Sequence, residues 1–155
     1  MGQAKEATII YSGAAVAGMW LGIANSGAIT ARSRVYEFVL GSHATPVDQS
    51  SMWSIMRTTT AVPTGGGTPG IAYNDSADGS ALASVYQAAT GGATLVTASP
   101  LYTIGLHQKA SFRWVASPGR EFVNPITTLL GIGIILRSGD QTAPYAVDAT
   151  FCWEE

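Results

Sequence analysis

His43 and His107 are the only two histidines in the chain. A histidine can ligate a metal or move a proton, but a metal-binding sandwich needs several of them, with an acid, on neighbouring strands. Here His43 sits in a Gly/Pro loop and His107 at a strand end, with no carboxylate at ligand spacing around either. The pattern predicts turn histidines and no metal. Ser, His and Asp all occur, yet no Gly-x-Ser-x-Gly elbow does, so no nucleophile is assigned. Asp75 with Asp78 and Glu154 with Glu155 are close carboxylate pairs. A glycosidase needs its pair on facing strands. These pairs fall in a loop and at the end of the chain, and they read as solvated acids. Gly65, Gly67 and Gly70 satisfy Gly-x-Gly-x-x-Gly, but Pro69 removes an amide and no helix follows directly. Cys152 alternates with apolar residues and reads as a packing or interface residue rather than a nucleophile. Asn74-Asp75-Ser76 is a glycosylation sequon by pattern alone. No catalytic, metal-ligating or cofactor-binding residue is assigned, and the expectation is a protein that is not an enzyme.

Composition points the same way. Charged residues make up 12% of the 155, about half the usual quarter, and hydrophobic residues 46%. Eight Lys and Arg against ten Asp and Glu leave a net charge of −2. Binding nucleic acid by phosphate neutralisation needs clustered Lys and Arg, so no nucleic-acid partner is expected. The longest strongly apolar run, LLGIGIIL at 129–136, falls far short of the ~20 residues of a membrane helix. Lys5 followed by the apolar stretch 7–24 imitates a leader, but Glu6, Tyr11-Ser12 and internal glycines argue against one. A soluble, leaderless chain is expected. A monomer keeps its surface wet with charges of both signs. This chain has few, so part of its surface should be covered by copies of itself. Trp114, Phe151 and Trp153 read as core by alternation. Trp20, Trp53, Tyr73 and Tyr86 lie in less regular segments; each reads either as core filling or, where exposed, as a sugar platform or subunit contact, and they are the candidate interface residues.

The elements that must carry these residues are strands. Residues 7–16 and 19–23 read as two strands, followed by a turn at Asn25-Ser26-Gly27. RVYEFVL at 34–40 alternates, and 41–49 reads as a loop. MWSIMRTTT at 52–60 puts Trp53, Ile55 and Arg57 on one face. Residues 61–70 form a Gly/Pro-rich turn region. Asp78 could cap a short helix, since Leu82, Val85 and Ala89 fall at helical spacing and Gly91-Gly92 would end it. Further strands follow at 101–106, 111–116, 121–123, 131–137 and 145–154, with Ser117-Pro118-Gly119 a turn. In the last strand Val147, Ala149, Phe151 and Trp153 alternate with Asp148, Thr150, Cys152 and Glu154. About eight short strands joined by long Gly/Pro-rich loops make one all-β domain, a jelly roll or β-sandwich over residues 1–155. Residues 1–30 could be an extended N-terminal segment.

Five stretches carry a family resemblance: RVYEFVLGS at 34–42, IMRTTTAV…GGGTP at 55–69, FRWVASPGREFVNP at 112–125, LGIGIILRSGD at 130–140 and the closing VDATFCWEE. Together the chain from Tyr36 onward resembles the jelly-roll capsid decoration, or cement, proteins of tailed bacteriophages. The resemblance implies a homotrimer bound to the phage major capsid protein on the capsid exterior, assembled in the host cytoplasm, without cofactor or catalytic residues. The 61–79 loop and the N-terminal segment would be the arms that reach the capsid. The alternative is a receptor- or glycan-binding jelly roll of a phage tail or fibre.

Overall fold

The computed structural model describes residues 3–11, 20–25, 32–44, 46–58, 71–73, 75–89, 100–124, 130–139 and 146–155. They form eleven strands and no helix: β1 (Ala4–Tyr11), β2 (Trp20–Asn25), β3 (Arg34–Ala44), β4 (Ser50–Arg57), β5 (Ala72–Tyr73), β6 (Ala83–Ala89), β7 (Tyr102–His107), β8 (Phe112–Val115), β9 (Phe122–Val123), β10 (Gly131–Gly139) and β11 (Ala146–Glu154). One sheet, here sheet A, has the order β5-β1-β11-β3-β8, with β9 also paired to β3. Sheet B has the order β6-β2-β10-β4-β7, and all pairings described are antiparallel. The protein is a β-sandwich.

The alternation in the sequence is what makes the two sheets stick. In β11, Val147, Ala149, Phe151 and Trp153 are buried while Asp148, Thr150, Cys152 and Glu154 are only half-buried. Opposite them, Ile132, Ile134 and Leu136 of β10 and Trp53 and Ile55 of β4 face the same interior. Trp53, Trp153, Phe38 and Phe151 are among the largest side chains fully buried there. Each contributes about 1.5–3 kcal/mol relative to exposure. A smaller cluster, Ala24, Met56, Tyr86 and Ile135, is buried apart from that interior. Its members alternate with Ile23, Ile55, Val85 and Ile134 of the main core, so they lie on the other face of sheet B.

Several sequence expectations change. Residues 83–89 are strand, not helix: they pair with β2, with Val85 opposite Ile23 and Tyr86 opposite Gly22. Leu82, Val85 and Ala89 do fit a helical stripe, but Ala83 and Val85 also alternate with Ser84 and Tyr86. The open edge of β2 decides between the two, as tertiary context commonly does. The loop expected at 41–49 starts later, because β3 continues to Ala44 against Ala146. β1 starts at Ala4, three residues before the expected strand. The turn at 117–119 is as expected: Arg120 N–H donates to the Ser117 carbonyl at 2.9 Å, and Gly119 has φ 78°. Pro then Gly at the two central positions is the type II pattern, which needs that left-handed φ. The Gly/Pro-rich stretch 61–70 with its three spaced glycines, Asn74, and Gly91-Gly92 lie outside the described residues.

Candidate functional site

One flank of the sandwich is built from aromatics. β8 is a four-residue strand at the edge of sheet A, and β7 is the edge of sheet B. Alternation turns Phe112 and Trp114 of β8 inward and leaves Arg113 and Val115 outward. The result is a continuous row. Tyr102 stacks on Phe112 with centroids 5.8 Å apart, Phe112 packs on Phe38 at 5.8 Å, Phe38 on Trp114 at 5.3 Å, and Trp114 on Phe122 at 4.4 Å. The Trp114 and Phe122 planes are 4° apart. Tyr102 and Val115 at the outside of this flank remain exposed, Val115 by 54%.

A second group ties down the β3–β4 connection. His43 Nδ1 lies 2.8 Å from Asp148 Oδ1 on β11. At the other end of the connection, His107 Nε2 lies 2.8 Å from Asp48 Oδ1. Lys109 N–H donates to His107 Nδ1 at 3.2 Å, so Nε2 carries the proton given to Asp48. That bond, with Lys109 nearby, holds the Asp48 carboxyl below its ordinary value. The Ser42 hydroxyl donates to the Gln108 carbonyl, Val47 N–H to Gln108 Oε1, and Gln108 N–H to the Gln49 carbonyl. Both His107 nitrogens and the Ser42 proton are thus engaged, and the arrangement positions a loop rather than a nucleophile. Beside it lies a solvent-open pocket of about 180 Å³ lined by Leu40, Trp53, Leu106 and Gln108. Most of that space is open solvent, and the enclosed part holds no more than about one water, far short of the ~300 Å³ lower end of ligand sites.

The third group is a polar knot at the opposite side. Lys5 is fully buried; its ammonium donates to Gly79 O at 2.9 Å and Gln3 Oε1 at 3.1 Å, with Asp78 Oδ2 3.6 Å away. Glu155 accepts from Leu82 N–H, Ala83 N–H and the Trp153 indole. Neither Asp78 nor Glu155 is therefore the freely solvated acid the sequence suggests. The signal for Lys5 was present: it shares its strand face with Ala7, which is buried.

The four candidate interface residues divide. Trp53 is 1% exposed inside the main core, and Tyr86 is buried in the cluster on the far face of sheet B. Trp53 fills the interior between the sheets, and Tyr86 is covered within the chain on the other face of sheet B. Trp20 lies in β2 opposite Ile135, and Tyr73 in β5 opposite Lys5. Trp20 and Tyr86 stand on the paired strands β2 and β6, with Gly22 opposite Tyr86, while Tyr73 lies on β5 of sheet A. Among the described residues the large exposed apolar side chains are Met52, Leu82, Tyr102 and Val115.

Cys152 is half-buried on the outer side of sheet A, between Glu6 of β1 and Glu37 of β3. Burial first, then the two carboxylates, push its thiol up to about 11. At pH 8 the thiolate fraction is about a hundredfold smaller than at the ordinary value of 9.0. Alkylation by iodoacetamide at pH 8 should therefore run about a hundredfold slower than in the urea-unfolded chain. Equal rates would overturn this account of the thiol. Burial and the same acidic neighbours also raise the Tyr36 hydroxyl.

Among the described residues, no three His, Cys, Asp or Glu side chains converge as metal ligands. No helix among them is long and apolar enough to cross a membrane. No family model matches the chain, and neither does any curated protein or solved structure.

Proposed function

We propose that this chain is a structural virion protein, a capsid decoration protein that binds the outside of a phage capsid as a homotrimer and stabilises it. The observation that carries the reading is the strand order. With β5, β6 and β9 set aside, the sheets run β1-β11-β3-β8 and β2-β10-β4-β7. The first strand pairs with the last, and each step from β1 to β4 changes sheet. Two Greek keys rolled together give that order, the jelly roll that recurs in capsid proteins. It supports the resemblance carried by residues 34–42, 55–69, 112–125, 130–140 and 147–155. Low charge with apolar side chains left on the surface supports self-association, with an interface burying well over ~1,000 Å² per pair of subunits.

The purified chain is expected to scatter light as a particle of three times its 16.1 kDa mass. It should add density to the exterior of capsids imaged with and without it. A monomer at micromolar concentration that leaves capsids bare would remove the proposal.

A further inference from the structure

We propose that copies of this chain join head to tail, the basic lateral edge of one sandwich against the acidic lateral edge of the next. The inference rests on the self-assembly reading above and adds the surfaces and the direction of the contact. Sheet A runs from β5 and β1 at one side to β3 and β8 at the other, with β9 beside β3. The charges sort along that axis. Arg32, Lys109, Arg113 and Arg120 stand on β8 or on the segments that flank β3, β8 and β9, while Arg34 of β3 pairs in register with Glu154 of β11 in the middle of the sheet. Three acids accompany them, and all three are engaged locally: Glu37 by Arg113 at 2.6 Å, Asp48 by His107, and Glu121 by Gly119 N–H.

The opposite edge has the reverse sign. Glu6 lies on β1, Glu155 follows β11, and Asp75 and Asp78 lie in the turn after β5; Asp75 and Glu155 accept backbone N–H bonds and Asp78 faces Lys5, so these acids too are engaged locally and what sorts is the net charge of each edge. The single cation there among the described residues, Lys5, is buried and points its charge at Gly79, Gln3 and Asp78. Each edge also exposes apolar surface: Val115 on the basic side, and Leu82, 41% exposed, on the acidic side. The pattern suits a contact with an apolar centre and a charged rim.

The sorting decides the geometry. A two-fold contact would set an edge against its own copy, so like charges would face each other, which disfavours it. Opposite edges attract, and a head-to-tail contact of this kind closes into a ring when the rotation allows. The edge strands β8 and β5 are four and two residues long. In sheet A strands so short give little ladder to extend, so side chains carry the contact there, while β7 and β6 at the edges of sheet B are six and seven residues long.

Charge reversal tests this. One variant carries Arg113→Glu with Arg120→Glu, another Glu6→Lys with Asp75→Lys, and a third all four changes; circular dichroism checks that each folds. Sedimentation in 0.15 M salt is expected to show association weakened about tenfold or more in each of the first two. The four-fold variant should recover, because every contact again joins opposite signs. An equimolar mixture of the first two should form open pairs but no three-membered ring, since an odd ring cannot alternate. If the wild type assembles and the reversals leave it unchanged, or the four-fold variant fails to recover, the edge-to-edge contact is wrong while the assembly reading survives. If the wild type is a monomer throughout, both fall.

Discussion

Gly131→Ala is expected to cost about 3 kcal/mol or more and to lower the melting temperature by about 10 °C. Gly131 opens β10, the central strand of sheet B, opposite Ala24 of β2. A methyl group built on its Cα would run into the carbonyl oxygen of Ile23, and would stand 2.9 Å from the Ala24 Cβ and 3.1 Å from its Cα. Those are largely backbone atoms of a neighbouring strand, so no side chain can swing aside. The strand is also pinned on its other side: Gly131 N–H donates to Thr58 Oγ1 at 2.9 Å, and Thr58 N–H donates to the Gly131 carbonyl at 3.0 Å. Relief therefore means moving β10 away from β2 or breaking the Thr58 pair. Gly105→Ala in β7 is the control, since a Cβ there meets nothing within 4 Å. It should change stability by less than about 0.5 kcal/mol. Urea unfolding of both variants reads the difference. A Gly131→Ala protein as stable as the wild type would mean that β10 and β2 are farther apart than the structure places them.

That position also marks where sequence reading stops. Alternation in 147–154 and 131–137 located β11 and β10 and assigned Phe151, Trp153, Ile132, Ile134 and Leu136 to the interior. The Pro118-Gly119 turn was legible because only one residue type suits its left-handed position. The closeness of Gly131 to β2 was not legible, since a glycine in an apolar run looks the same whether or not another backbone presses on it. Whether Trp53 and Tyr86 fill the core stayed open for a related reason: a lone aromatic outside a clear alternation gives no sign of which sheet will cover it. The two His–Asp pairs were invisible because Asp148 lies on β11, far along the chain from His43, and Asp48 far from His107. Long-range antiparallel register brings such residues together, and no local pattern encodes it.

Glu155→Ala should show how much the polar knot beside β1 contributes. The Glu155 carboxylate accepts from Leu82 N–H and Ala83 N–H at 2.8 Å each and from the Trp153 indole at 3.0 Å. Ala83 and Trp153 are both essentially unexposed, so two of those donors lose a partly buried partner once the carboxylate is gone. An unsatisfied buried donor costs about 1–3 kcal/mol, and bonds to a charged acceptor are the stronger kind. The expected loss is about 3 kcal/mol, a fall of about 6–12 °C in melting temperature. The backbone pair that joins Glu155 to Gln3, at 3.0 and 3.1 Å, does not depend on the side chain and keeps the strand end in place. The loss therefore reports the carboxylate itself. Trp153→Phe removes the indole donor, so combining it with Glu155→Ala should cost about 1 kcal/mol less than the two changes added separately. Strict additivity, or a Glu155→Ala protein within about 0.5 kcal/mol of wild type, would mean that these donors find other partners. Coupling of the expected sign would assign that share of the loss to the Trp153 indole and leave the remainder to the Leu82 and Ala83 amides, where the Glu155 carboxylate ties the start of β6 to the end of β11.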